Sequence, residues 1–328
     1  MEKILILLHT DDAGALPKAA LETMGLAKSL GAAFDVAVLG AQAAAAAQSA
    51  SAGAEKVLAV EGEAVAVSRY STDAAAATAL AQASGATVIL APGTMRFNRA
   101  LPGVAARLNG ACETHVVGID ADLTVQRWYY RQRMEAKLTR DTRPWVILVE
   151  PGSCEPAEVA AGAAAEVMSV STETRTSVTG YESPSADQQT IRPEAQLLFV
   201  AGAGWTKKQK DGATHVPEAG ELILSFVQRT QSSLGSSKSL VDLSGEGQSV
   251  LPFLTHLHQV GQTGSTPRHR KGLATCCHGE EPHVVGWRFI NERRAINLDA
   301  GCGWARGKAD VLYVADAFEV MRELAKLV

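Results

Sequence analysis

Residues 3–39 read KILILLHTDDAGALPKAALETMGLAKSLGAAFDVAVL, and this stretch decides the fold class. Lys3–Leu8 and Phe34–Leu39 are short apolar runs of strand length, and Pro17–Leu30 between them is an alanine-rich helical segment. Strand, helix, strand implies parallel pairing with helices laid on a sheet. The alternation continues outward. Lys56–Ala59, Thr87–Ala91, Thr114–Ile119 and Trp145–Val149 are further strand candidates, with helices expected at Ala41–Ala52 and Asp73–Ala83. Ser71-Thr72-Asp73 offers N-cap chemistry for the latter, because a side-chain oxygen there can accept a free backbone N–H. Asn98–Leu108 reads as another helix after the Ala91-Pro92-Gly93-Thr94 turn, with its regular part confined to the residues after Pro102 and Gly103. Val125–Tyr130 and Arg133–Leu138 are closely spaced strands, which suits an antiparallel edge on a parallel sheet.

The whole chain sets bounds on function. Its 328 residues allow two domains, and 46% hydrophobic content lets each bury a core. The net charge of -4 gives no reason to expect nucleic-acid binding or a membrane surface. Five cysteines, an odd number, do not form a secreted disulfide framework. No leader segment and no apolar run of about 20 residues is visible, so a cytoplasmic protein without membrane insertion is expected.

Ser, Thr, Glu and Pro dominate Ser169–Pro193, with strand-like alternation through Val170–Tyr181, and the domain boundary is placed near residue 190. An N-terminal α/β domain with antiparallel additions is thus expected over residues 1–190, and a second α/β domain over 191–328. The second half opens on a strand, Gln196–Ala201, and runs into Gly202-Ala203-Gly204. A glycine turn at a strand's C-terminal end is where open α/β sheets place ligands. Helix Glu218–Thr230, a polar loop over Gln231–Gly247, a helix near Leu251–His256, strands Ala295–Leu298 and Val311–Val314 and a closing helix Phe318–Leu327 follow.

Gln259-Val260-Gly261-Gln262-Thr263-Gly264 is the sharpest local motif. Its glycines let backbone approach a ligand, and two amides with a hydroxyl concentrate hydrogen-bonding groups. Such a set suits the polar edge of a flavin or a phosphate, and it equally suits a structural turn. Cys276-Cys277-His278, with His283 and Cys302 nearby, lacks a CxxC pair, so no metal ligand is assigned. Trp128-Tyr129-Tyr130 among Arg127, Arg131 and Arg133 reads as a strand with alternating faces or as a stacking surface for a nucleotide or partner. There is no nucleophile elbow, HExxH or P-loop.

The segment 259–264 resembles the QVGQTG run of electron transfer flavoprotein alpha subunits. The likeness extends over most of the chain. The 31 residues Ser265–Ala295 separate it from Ile296-Asn297-Leu298-Asp299, which is similar to the family's INxD, and the family's GxSGxxQH turn falls on Cys276–His283. Val200–Trp205 resembles the SGGRGL turn, Ser237–Asp242 the SRxxVD segment, and Ala309-Asp310 with Val314-Ala315-Asp316 the ADYGIVGD end. Leu90–Thr94 and Val104–Leu108 resemble LAPxT and VAARL.

The resemblance implies a C-terminal doubly wound domain that binds FAD. It implies cofactor contacts from Ala203, Gly204, Ser237, Lys238, Gln259, Val260, Gly261, Gln262, Thr263, Gly264, His278, Gly279, His283, Asn297, Asp299 and Asp316. It further implies a beta-type partner subunit carrying AMP, a dehydrogenase as electron donor and a quinone oxidoreductase as acceptor.

The chain departs from the family at this site. The arginine of SGGRGL is Ala203, and that of SRxxVD is Lys238, which keeps the charge but loses the planar fork. Cys276, His278 and Pro282 replace a glycine, a serine and a glutamine of the turn, and Glu280 and Glu281 add negative charge. Two readings stay open. In one, FAD binds with its pyrophosphate neutralised by cations from Arg268, Arg270, Lys271, Arg288, Arg293 and Arg294. In the other, the subunit is a scaffold whose flavin is lost or relocated.

Overall fold

The computed structural model describes residues 2–129, 134–172, 174–180, 191–192, 194–242, 250–260, 269–276, 290–301 and 309–328. The chain divides into two compact units, Met1–Tyr181 and Glu182–Val328.

The first unit is an α/β layer structure. Its strands are β1 (Ile4–His9), β2 (Phe34–Leu39), β3 (Val57–Val60), β4 (Val88–Pro92), β5 (Ala111–Ile119), β6 (Val125–Tyr129), β7 (Met134–Leu138), β8 (Trp145–Val149) and β9 (Glu166–Val167). They form one sheet in the order β7-β6-β5-β8-β4-β1-β2-β3-β9. All pairs are parallel except β5–β6 and β6–β7, so the expected antiparallel edge is present. Alternation in β1 explains the layers. Ile4, Ile6 and Leu8 face one core with α1 (Lys18–Ser29) and α2 (Ala43–Ser49). Leu5 and Leu7 face the other with α4 (Tyr70–Ser84) and α5 (Met95–Arg107). The short α3 (Glu63–Ala66) adds Val65 to that second core. Each fully buried Leu or Ile contributes about 1.5–3 kcal/mol.

Three local expectations change. Helix α4 starts at Tyr70 behind Arg69, which makes no side-chain cap. Asp73 is instead buried and accepts from Arg96 Nε and Nη2, so a tertiary ion pair takes the carboxylate. Helix α5 begins at Met95, capped by Thr94, and runs through Pro102. The proline forfeits one backbone bond, to the carbonyl of the exposed Asn98, while Phe97, Leu101, Val104 and Ala105 keep the helix buried on its other face. The described residues of 170–180 form no strand.

In the second unit the strands β10 (Leu197–Ala201), β11 (Ser233–Ser236), β12 (His269–Cys276), β13 (Ile290–Asn297) and β14 (Val311–Val314) are all parallel, in the order β11-β10-β12-β13-β14. This is the second-first-third-fourth-fifth order of doubly wound folds, with the switch point between β10 and β12. Helices α6 (Val216–Thr230) and α8 (Ala317–Leu324) pack on one face with the short α7 (Lys238–Asp242). Val260, Ala274, Ile290 and Ala295 build the other face.

Two expectations fail here. The polar loop at 231–247 contains β11 and α7. Ser-Leu-Gly-Ser is buried throughout because its residues are small and covered, not because they are apolar. The helix near Leu251–His256 is only a single 3-10 turn, His256–His258.

Candidate functional site

Parallel strands deliver their loops to one edge. Among the described residues of the second unit, that edge carries the ends of five strands and the stretch at Gln259-Val260, and backbone bonds join them in two groups. Gly202 N donates to Thr275 O at 2.9 Å, tying the turn after β10 to the end of β12. Ser237 N donates to Ala201 O at 2.9 Å, and Val260 N to Ser236 O at 3.1 Å. Ala315 N donates to Asn297 O at 3.2 Å, joining the ends of β13 and β14.

The turn after β10, Ala203–Thr206, is a buried 3-10 turn. Trp205 anchors it. Its Nε1 donates to Thr275 Oγ1 at 2.7 Å, and its ring lies 4.6 Å from that of Phe318 on α8. At the end of β11, Ser237 Oγ accepts from Leu240 N at 3.3 Å and so caps α7. Lys238 Nζ lies 3.9 Å from Asp242 Oδ2, and Asp242 Oδ1 pairs with His256 Nε2 at 2.9 Å. The half-exposed lysine is therefore held at the edge by a carboxylate that a histidine holds in turn.

Among the described residues, polar atoms at the ends of two of these strands are buried without a partner. They are Ser236 Oγ at the end of β11 and Asn297 Nδ2 at the end of β13. Asn297 spends its other side-chain atom on Asp299 N, at 2.8 Å. An unsatisfied buried group costs about 1–3 kcal/mol. Such groups at the C-terminal edge of a doubly wound sheet are what a polar ligand would satisfy. A hydroxyl, an amide N–H2, glycine backbone and one lysine suit the polar edge of a flavin ring and its chain.

Ala203, Gly204, Ser237, Lys238, Gln259, Val260, Asn297, Asp299 and Asp316 all sit at or just beyond the C-terminal ends of these strands. Asp316 is committed to α8, where Oδ1 accepts from Phe318 N at 2.9 Å and Glu319 N at 3.4 Å. Gly261, Gln262, Thr263, Gly264, His278, Gly279 and His283 lie outside the described residues, as do Arg268 and Arg288.

The remaining candidate cations for a pyrophosphate are misplaced. Arg270 and Lys271 sit five and four residues before Thr275, about 13–17 Å from that edge at strand rise. Arg293 and Arg294 sit four and three residues before Asn297, about 10–13 Å away. Arg270 also pairs with Glu292, and Arg293 with Asp310. At the edge itself Lys210 lies 3.9 Å from Asp316.

Sequence reasoning missed Ser236, Trp205, Thr275 and the Asp242–His256 pair. Only the strand β11, hidden in a polar run, would have drawn attention to Ser236. Of the aromatic–basic cluster, Arg127, Trp128 and Tyr129 lie on strand β6, where Arg127 pairs with Glu113 at 2.5 Å and lies 4.3 Å over the Tyr129 ring; Tyr130, Arg131 and Arg133 lie outside the described residues.

The sequence profile of a family described as "Electron transfer flavoprotein domain" matches residues 4–174, which lie in the first unit. No curated protein matches the chain. Among solved structures, the crystal structure of SsfS6, a glycosyltransferase of Streptomyces sp. SF2575, aligns over 100% of this chain and 91% of its own. At 10% identity and a TM-score of 0.25 it carries no argument.

Proposed function

Because the chain belongs to the electron transfer flavoprotein family, we propose that it is an alpha-type subunit that holds FAD at the C-terminal edge of its second unit. The observation that carries this reading is the pair of buried groups without a partner among the described residues, Ser236 Oγ and Asn297 Nδ2, at that edge. The family match covers the first unit, so the cofactor assignment rests on the second unit's own residues.

A bound flavin would supply the electron-accepting chemistry. The chain's part is to bind and orient it. Ser236 and Asn297 offer hydrogen bonds from inside the edge, and the turn Gly202–Gly204 offers backbone close to it. Lys238 supplies positive charge, which lowers the cost of negative charge added beside it. Asp242 and His256 keep that lysine in place. A beta-type subunit carrying AMP completes the heterodimer in this reading. A cytoplasmic dehydrogenase donates electrons, and a quinone oxidoreductase takes them.

The placement of Arg270, Lys271, Arg293 and Arg294 favours a second reading, in which the subunit is a scaffold without its own flavin. Absorption of the heterodimer, purified after co-expression with a beta-type subunit, separates the two. Flavin bands at about one FAD per heterodimer support the first. A correctly assembled, colourless heterodimer overturns it.

A further inference from the structure

Strand β5 changes role along its length. Ala111–Glu113 pair in parallel with β8, and Val116–Ile119 pair antiparallel with β6. Burial along β5 falls on Glu113, Val116 and Ile119, every third residue, where an unbroken strand buries every second. Two bulges cause this. Glu113 to Val116 spans three steps against two from Ile147 to Val149 on β8, and Val116 to Gly118 spans two against one from Arg127 to Gln126 on β6. Each bulge adds one residue and bends the strand. His115 lies at the first bend, at φ 57, a left-handed conformation that few side chains adopt. The bend turns it off the core, and its side chain is 56% exposed.

The ring does not hang free. Nδ1 lies 2.9 Å from Glu150 Oε2, on the residue that follows β8, and Glu150 N donates to Val116 O at 2.7 Å. One glutamate thus holds both the bent residue and the first residue beyond it. Among the described residues, the other charged group that bears on the ring is Arg127 of β6, whose guanidinium pairs with Glu113. Glu113 also pairs with Arg140, beyond β7. Among the described residues, charged side chains therefore fasten the antiparallel ribbon β5–β6–β7 to the parallel strands at two places, through Glu113 and through His115 with Glu150. The first does not switch near neutrality, because guanidinium groups keep their protons. The second can, because an imidazole exchanges its proton there.

We propose that His115 and Glu150 form a pH-sensitive clasp, which fastens the antiparallel ribbon to the end of β8 while the imidazole is protonated and loosens when its proton passes to solvent. The hydrogen bond to the Glu150 carboxylate, helped by its charge, raises the pKa of His115 above the ordinary histidine value, against an opposing effect of burial. A raised value means that the clasp acts fully below about pH 6.5 and is lost as pH rises through the raised value. His9, whose pKa burial lowers, has the opposite sign. The clasp lies wholly in the first unit and does not depend on the flavin reading.

Hydrogen–deuterium exchange of the full chain at about pH 6 and about pH 8.5, with intrinsic exchange rates divided out, tests it. Amides of Val125–Tyr129 should open about threefold more often at the higher pH, the scale of one half-exposed ion pair, and those of β1 and β2 should not. Glu150→Gln, which keeps an acceptor and removes the charge, should level the two values. His115→Asn, which tolerates the left-handed backbone and does not titrate, should do the same. By NMR, the His115 ring should titrate above the ordinary value in the parent chain and at a lower pH in Glu150→Gln. Equal opening of the parent ribbon at both pH values, a difference that survives either substitution, or a His115 titration unmoved by Glu150→Gln overturns the proposal.

Discussion

The indole N–H of Trp205 donates to Thr275 Oγ1 at 2.7 Å, and the same hydroxyl donates to Val200 O at 3.1 Å. One buried hydroxyl thus joins the turn after β10 to the end of β12 across the switch point. Trp205→Phe keeps most of the packing against Phe318 and removes one donor. It should cost about 0.5–1.5 kcal/mol in urea unfolding of the full chain. Trp205→Ala should cost about 3–5 kcal/mol through the cavity it leaves. Similar losses for both would mean that the ring, not the hydrogen bond, is irrelevant to the turn.

Ser236→Ala separates stability from binding by sign. The Ser236 hydroxyl is buried and has no partner among the described residues, so its removal should leave the flavin-free chain unchanged or up to about 1–3 kcal/mol more stable. Flavin affinity should fall at least severalfold, because a partner atom is gone. A destabilised flavin-free chain would show that the hydroxyl already has a partner in solution.

Arg96 and Asp73 form a buried pair, with contacts of 2.6 and 3.0 Å, and Arg96 Nη2 also donates to Val65 O at 2.6 Å. Arg96→Ala strands a carboxylate that is 0% exposed. The expected loss is about 3–5 kcal/mol. The double substitution Arg96→Met/Asp73→Leu should recover much of it, since the desolvation cost of both charges disappears. A double-mutant cycle by chemical denaturation reads the difference.

His9 gives a pH signature. Nδ1 donates to Thr10 O at 2.9 Å, and in the neutral ring Nε2 accepts from the Thr94 hydroxyl at 2.7 Å. Burial, the largest effect, lowers its pKa below the ordinary histidine value. Above that ordinary value, about 6.5, neither state is charged and the histidine adds no pH slope. As pH falls through it, the unfolded chain takes a proton that the native chain resists, and stability declines. His9→Gln should flatten the slope of unfolding free energy between about pH 5 and 6.5 relative to the parent. Parallel slopes would place the titration elsewhere.

The strand–helix alternation of the first unit was legible because its strands are continuous apolar runs. Phe34–Leu39 and Trp145–Val149 begin and end where expected. Strand β11 was not legible, because Ser233–Ser236 carries one large apolar side chain, and its burial comes from what covers it. Pro102 misled for a different reason: one lost hydrogen bond is small beside a helix face buried over its length. At the edge of the second unit, the motifs marked which loops converge. They could not show that Asp316 is occupied by helix capping, or that the arginines of β12 and β13 sit about 10–17 Å back along their strands.

Gly235 lies beneath Val260, and a β-carbon built on it would come within 2.3 Å of Val260 Cγ2. The seat of Val260 is therefore keyed to a missing methyl group on a neighbouring strand. Anyone grafting the 259–264 segment onto another scaffold must carry the strand residue with it. A side chain introduced at Gly235 should accordingly displace Val260 while every residue of the 259–264 run is left unchanged.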